Sequence, residues 1–204
     1  MDRKYWDSYY NKHLNSNNQP SPFARFSLNY LTPKSVIADL GCGNARDSIF
    51  FFNYGFTLHS IDQSKTAIDK LRSQHKGINF IHSDIKDLDN SILEEINNIY
   101  CRFFLHAIDE KEYSDLMKWI NGCKPGTLFL SESRSIDDNL FGQGVKIAKN
   151  TFTTDHSRHF IERKQLETDL IGEGFEILES IEDQGLAIYK NEDPMIIRII
   201  ARKS

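Results

Sequence analysis

Val36-Ile37-Ala38-Asp39-Leu40-Gly41-Cys42-Gly43-Asn44-Ala45-Arg46-Asp47-Ser48 is the stretch on which the fold turns. Val36 to Leu40 reads as a buried strand, Gly41 to Gly43 as a turn that needs two glycines, and the residues beyond as the start of a helix. That is the layout of a nucleotide-binding loop in an open α/β sheet. Further on, Ser60-Ile61-Asp62-Gln63 closes a second apolar strand with an acid, 23 residues after Asp39. A carboxylate at that point suits a ribose diol, which offers two hydroxyl donors.

The loop departs from a dinucleotide fingerprint. G-x-G-x-x-G needs a third small residue for close helix–strand packing, and Arg46 stands there instead. Asp39, just ahead of the glycines, would repel a diphosphate and suits a cationic ligand. Asp39-x-Gly41-Cys42-Gly43 resembles the first motif of class I S-adenosylmethionine-dependent methyltransferases. Their cofactor carries an α-ammonium and a sulfonium and no phosphate. The resemblance covers residues 34 to 132 and implies a Rossmann-like sheet of seven strands, mostly parallel, with helices on both faces and a C-terminal antiparallel hairpin.

Composition narrows the class without naming the chemistry. With 204 residues, 39% hydrophobic and 26% charged, one globular domain over 1–204 is expected. A net charge of −4 with no Lys/Arg run gives no attraction to nucleic acid or an anionic membrane. Met1-Asp2-Arg3-Lys4-Tyr5-Trp6 lacks the apolar core of a signal peptide, and no apolar run approaches the roughly 20 residues of a membrane span, so a cytoplasmic protein is expected. Cys42, Cys101 and Cys123 have no C-x-x-C spacing, which speaks against a disulfide framework or zinc site. The Asn-, Ile- and Lys-rich composition suits an AT-rich bacterial genome.

The chain opens with a helical cap over 1–32. Tyr5, Trp6, Tyr9 and Tyr10 recur at helical spacing, Asn15 to Pro22 reads as a polar loop, and Phe23 to Leu31 reads as a second helix. Strand and helix then alternate. Strands are expected at 36–40, 56–61, 78–82, 99–104 and 127–132, and helices at 47–53, 64–74, 91–96 and 110–123. A long irregular stretch, Ile136 to Thr154, follows, inside a lid or acceptor-binding insertion over 133–160. A helix over 162–173 and strands at 175–181, 186–189 and 195–201 complete the pattern.

The resemblance also implies roles at the cofactor site. Asp39 and Gly41 lie under the methionine part, with Cys42 beside them, and Gly43 permits close backbone approach. Asp62 takes the ribose hydroxyls and Gln63 flanks the adenine. In Ser83-Asp84-Ile85, Asp84 accepts the exocyclic amine and Ile85 packs on the ring. Gly43-Asn44-Ala45-Arg46-Asp47-Ser48 is similar to small-molecule methyltransferases of the thiopurine and tellurite-resistance type, where the arginine pairs with the cofactor carboxylate. Trp6-x-x-x-Tyr10 resembles the segment that covers the cofactor in that group.

On the acceptor side, the fourth strand runs into Arg102-Phe103-Phe104-Leu105-His106. The Asn/Asp-Pro-Pro-Tyr motif of enzymes that methylate DNA or protein amides is absent there. Arg102 is placed with both cofactor and acceptor. His106, Arg134, His156, Arg158 and His159 are acceptor-site candidates, with His106 and His156 available as bases. His156-x-Arg158-His159 does not match zinc spacing, so no metal is expected. Together with Gly185-Leu186-Ala187-Ile188-Tyr189 and Asp193-Pro194, these residues resemble methyltransferases of bacterial surface-polysaccharide gene clusters.

The reading is a methyltransferase that uses S-adenosyl-L-methionine, releases S-adenosyl-L-homocysteine, and methylates a small anionic acceptor at oxygen, such as a capsule precursor. Thiol or tellurite methylation is an alternative. An NAD-type oxidoreductase is disfavoured by Arg46. A methyltransferase fold that only binds a partner is disfavoured by the intact Asp39, Gly41, Gly43 and Asp62. Oligomeric state is not legible.

Overall fold

The structure, a computed structural model, describes residues 3–13 and 19–204. Asn15 to Asn18, read as part of a polar loop, lie outside the described residues, as do Met1 and Asp2.

The apolar runs form the strands they predict. β1 (Val36–Leu40) pairs in parallel with β2 (Thr57–Asp62) and with β4 (Asn98–Arg102), β2 with β3 (Asn79–His82), and β4 with β5 (Leu128–Arg134). β10 (Ile196–Lys203) inserts antiparallel between β5 and β9 (Phe175–Asp183). The sheet order is β3-β2-β1-β4-β5-β10-β9. It is the Rossmann-like, mostly parallel sheet of seven strands with an antiparallel end that the resemblance implies.

Alternate residues along the strands feed two cores, as a sheet covered on both faces requires. Ala38, Leu40, Ile99, Ile197 and Ile199 face α6 (Glu110–Asn121) and α7 (Arg163–Gly172), meeting Leu116, Ile120, Leu166 and Leu170. Ile37, Tyr100, Leu130 and Ile200 face the other way. They meet Phe23 of α2 (Pro22–Ser27), Phe51 of α3 (Arg46–Asn53) and Ile68 and Leu71 of α4 (Lys65–Gln74). Helix starts follow local chemistry. Ser21 and Ser64 cap α2 and α4, and Asp109 and Glu112 form a reciprocal capping box on α6. The short α5 (Ser91–Glu95) precedes β4, and α1 (Arg3–His13) lies ahead of the sheet. Cys42, Cys101 and Cys123 are all buried. Among the described residues no helix is long and apolar enough to cross a membrane.

Three expectations need correction. The helix expected over Phe23 to Leu31 stops at Ser27, whose hydroxyl donates back to Phe23 O at 2.8 Å while Asn29 and Tyr30 turn on i−3 carbonyls. The stretch 136–154 is not irregular throughout. It holds β6 (Val145–Ala148) and β7 (Thr151–Thr153), which join β8 (Ser157–His159) in a separate antiparallel sheet ordered β6-β7-β8. These strands are too short to show alternation, and Gly144 and Asn150 turn the chain at positive φ. Leu186 to Tyr189 is not a strand. Arg198 takes the Leu186 carbonyl and Tyr189 bridges only to Glu192, leaving a loop between β9 and β10.

Candidate functional site

Parallel pairing puts the carboxyl ends of β1, β2, β4 and β5 on one edge of the sheet. Strand order reverses between β1 and β4, the place where open α/β sheets take ligands. A cavity of about 450 Å³ opens there, and the β1–α3 loop forms its floor. Gly41 and Gly43 sit at φ +71° and +57°. A Cβ on Gly43 would lie 2.3 Å from the Tyr10 hydroxyl, and one on Gly41 would lie 2.7 Å from Phe104 Cδ2. The glycines let α1 and the segment after β4 close on the loop.

Two carboxylates shape the floor. Asp62 ends β2, and its Oδ2 accepts from Gly43 N at 2.9 Å while Oδ1 accepts from Ser64 N at 2.8 Å. Each oxygen keeps a further lone pair, which is what a vicinal diol needs. Burial raises its pKa, and the two amide bonds oppose that. Asp39 accepts from Ser48 Oγ, which takes a hydrogen bond from Ser60 Oγ at 2.9 Å. Burial pushes Asp39 up to about 7, against the Ser48 hydrogen bond, and Asp47 and Asp62 add to the rise.

Asp47 lines the cavity but is committed elsewhere. It accepts from Ser21 N at 2.7 Å, from Ser21 Oγ at 2.8 Å and from the Tyr100 hydroxyl at 2.8 Å. Arg46 stands 3.9 Å from it. Burial, and then Arg102, lower the Arg46 pKa. Cys42, Gln63, Asp84 and Ile85 also line the cavity, as do Trp6 and Tyr10, which stack at 5.8 Å on α1. Asp7 on the same helix accepts from Ser64 Oγ at 2.6 Å, holding α1 at the start of α4.

Two arginines and a histidine also line the cavity, the arginines each paired with acids. Arg102 ends β4, donates through Nε to Glu132 at 3.0 Å and places Cζ 4.4 Å from the Phe103 ring centre. Glu132 is buried and also takes Arg198 Nε at 2.9 Å. Arg134 ends β5 and is paired with Asp138 and Glu192. His106 is buried and stacks on Phe103 at 4.9 Å, and its Nδ1 has no hydrogen-bond partner among the described residues. Burial holds its pKa well below the usual histidine range, and Arg134, His156, Arg158 and Arg102 add to that.

Arg102, His106 and Arg134 line the cavity together, whereas His156, Arg158 and His159 are not among its lining residues. The expected convergence of all these groups on one pocket is therefore incomplete. His156 stacks on Tyr5 at 4.5 Å and pairs with Asp155. Arg158 donates to the same Asp155 and to Thr154. His159 meets Tyr113 edge to face at 6.2 Å. Asp155 and Thr154 of the insertion, Tyr5 of α1 and Tyr113 of α6 hold these groups.

Several cavity-shaping residues gave no sequence signal: Ser21, Ser48, Tyr100, Asp138, Glu192 and Arg198. Ser48 and Asp138 meet Asp39 and Arg134 nearby in sequence, but the partners of the others lie tens of residues away, where no spacing rule reaches. The donor set fits S-adenosylmethionine. It offers a clamped carboxylate with spare lone pairs, a backbone that a Cβ would crowd, a second acid for a cationic group, and arginines for a carboxylate.

Residues 37–126 match the family model described as a methyltransferase domain. No curated protein matches the chain. Among solved structures, a SAM-dependent methyltransferase of Methanosarcina mazei is 21% identical, with 87% of this chain and 96% of that one covered, at a TM-score of 0.72. The 1,6-didemethyltoxoflavin-N1-methyltransferase of Burkholderia thailandensis, with bound 1,6-didemethyltoxoflavin and S-adenosylhomocysteine, is 15% identical over 99% of this chain and 87% of that one, at 0.74. A glycopeptide N-methyltransferase complexed with S-adenosylhomocysteine is 13% identical over 91% and 90%, at 0.69. The chain thus has the fold of these proteins, and the part of it that matches the methyltransferase-domain model holds Asp39, Gly41, Gly43 and Asp62.

Proposed function

We propose that the protein transfers the methyl group of S-adenosylmethionine to a small anionic acceptor, at oxygen. The observation that carries this reading is the lining of one cavity. It brings Asp62, clamped on Gly43 and Ser64, and Asp39 together with Arg102, His106 and Arg134. When bound, S-adenosylmethionine supplies a methyl group already activated by its sulfonium, so the protein's own work is mainly alignment.

Asp62 orients the ribose, Asp39 faces positive charge, and Arg46 with Arg102 takes the carboxylate of the amino-acid part. Trp6 and Tyr10 keep water off the floor. His106, held neutral in the cavity lining, takes the proton of a hydroxyl acceptor. A phosphate oxygen needs no base, and His106 then only orients it. Small-molecule chemistry in the toxoflavin-type neighbour supports an acceptor of that size. A sugar- or nucleotide-linked surface-polysaccharide precursor has the required anion and hydroxyls.

Mass spectrometry of a metabolite pool incubated with methyl-labelled cofactor tests the reading. Label is expected on an oxygen of an anionic metabolite. His106→Gln is expected to slow transfer to a hydroxyl acceptor by about 10²- to 10⁴-fold with S-adenosylhomocysteine affinity retained. Label on a neutral compound would refute the anionic acceptor, and lack of cofactor binding would refute the whole reading.

A further inference from the structure

Arg134 is held by two carboxylates of opposite character. Its Nη1 donates to both oxygens of Asp138, at 3.0 and 3.2 Å. The Asp138 side chain is 1% exposed and also accepts from Leu140 N at 3.0 Å and Met195 N at 2.9 Å. That carboxylate is built into the fold, joining β5, the insertion and the end of the β9–β10 loop. The other nitrogen, Nη2, donates to Glu192 Oε2 at 2.7 Å. The Glu192 side chain is 63% exposed. It projects from a tight turn that Tyr189 and Glu192 close through both backbone bonds.

Arg134, Glu192 and His106 all line the cavity. The loop that carries Glu192 also brings Ile188 and Tyr189 to the cavity, 61% and 53% exposed. Arg198 Nη2 fixes the base of this loop through Leu186 O at 2.7 Å, and Asp193 holds Gly185 N at 2.6 Å. The backbone is thus anchored while one carboxylate and two apolar side chains stand in water beside the site.

We infer that Glu192 is a displaceable stand-in for the acceptor's own oxyanion. A carboxylate or phosphate on an apolar body replaces Glu192 on Arg134 and lays that body against Ile188 and Tyr189. An ion pair with one partner so exposed is weakened by water and salt, so exchanging it costs little. Asp138 is not exchangeable, because its oxygens are buried and shared by three donors. The guanidinium fork keeps its geometry while its outer partner changes. Glu192 then acts in specificity, since it leaves Arg134 only for a group that brings equal charge, and neutral molecules gain nothing. This rests on the methyltransferase reading above and deepens its acceptor site.

Calorimetry on the full chain saturated with S-adenosylhomocysteine tests it, with phenyl phosphate, benzoate and neutral benzamide as probes. Glu192→Gln is expected to tighten both oxyanions about two- to fivefold and to leave benzamide unchanged. Arg134→Met is expected to weaken both oxyanions at least about tenfold. Arg134→Lys, which keeps the charge over Asp138 and loses the fork, serves if the Met variant does not fold, and it should weaken them less. Unchanged or weaker oxyanion binding to Glu192→Gln, or no binding at all, overturns the proposal, as does a benzamide response equal to that of benzoate. Failure of the wild-type chain to take S-adenosylhomocysteine is a different result and overturns the cofactor reading instead.

Discussion

The Tyr100 hydroxyl donates to the Asp47 carboxylate at 2.8 Å, joining β4 to the first turn of α3 across 53 residues. Both side chains are buried. The same carboxylate holds Ser21 through its amide and hydroxyl, so one acid ties α2, α3 and β4 together beside the cavity. Tyr100→Phe removes a donor to a buried charge while keeping the ring that stacks on Phe23 at 5.1 Å. Urea unfolding should show a loss of about 1–3 kcal/mol. An unchanged midpoint and slope would show that the Ser21 bonds suffice.

Asp62→Asn keeps the shape and leaves one oxygen where two are needed. Either Gly43 N or Ser64 N then loses its acceptor, and one ribose hydroxyl loses its partner. Affinity for S-adenosylhomocysteine should fall roughly 5- to 150-fold, corresponding to about 1–3 kcal/mol. Calorimetry reads this directly, and wild-type affinity in the variant would remove Asp62 from the ribose site.

Asp39 carries a pH signature. Its pKa is raised from 3.8 to about 7 in the folded chain, chiefly by burial. Between those values the folded state keeps a proton that the unfolded state has lost. Its contribution therefore favours the fold at low pH, declines as pH rises toward about 7, and is flat above. A cation beside Asp39 favours the ionised form. Uptake of S-adenosylmethionine should thus release a proton below about pH 7, with affinity rising toward that pH. Titration in two buffers of different ionisation heat checks it, and Asp39→Asn should abolish the proton release.

No group of three His, Cys, Asp or Glu side chains among the described residues is placed to hold a metal ion. Treatment with EDTA is expected to leave methyl transfer intact. A complete loss that added metal restores would require a different chemistry at the cavity.

The residues read for the cofactor come together in one cavity, and those read for the acceptor do so only in part. Asp39, Gly41, Gly43 and Asp62 lie within a single strand–turn–helix–strand unit, so spacing along the chain stands for distance in space. His156, Arg158 and His159 looked like acceptor ligands because they cluster in sequence. In the fold they belong to β8 and the turn before it, where Asp155, Thr154, Tyr5 and Tyr113 engage them. Arg134 stood out as a cation, but its two acids, Asp138 and Glu192, carried no visible role.

The sequence by itself determined the alternating sheet, the glycine turn after β1 and the acids that end or precede it, because local periodicity and turn chemistry are written in adjacent residues. Only the tertiary structure decided which charges are free to meet a ligand. Asp47 is taken by Ser21 and Tyr100, and Glu132 lies between Arg102 and Arg198. Arg134 lies between a buried acid and an exposed one. Charge compensation depends on distance and burial, and both arise from chain crossings that bring together residues tens of positions apart.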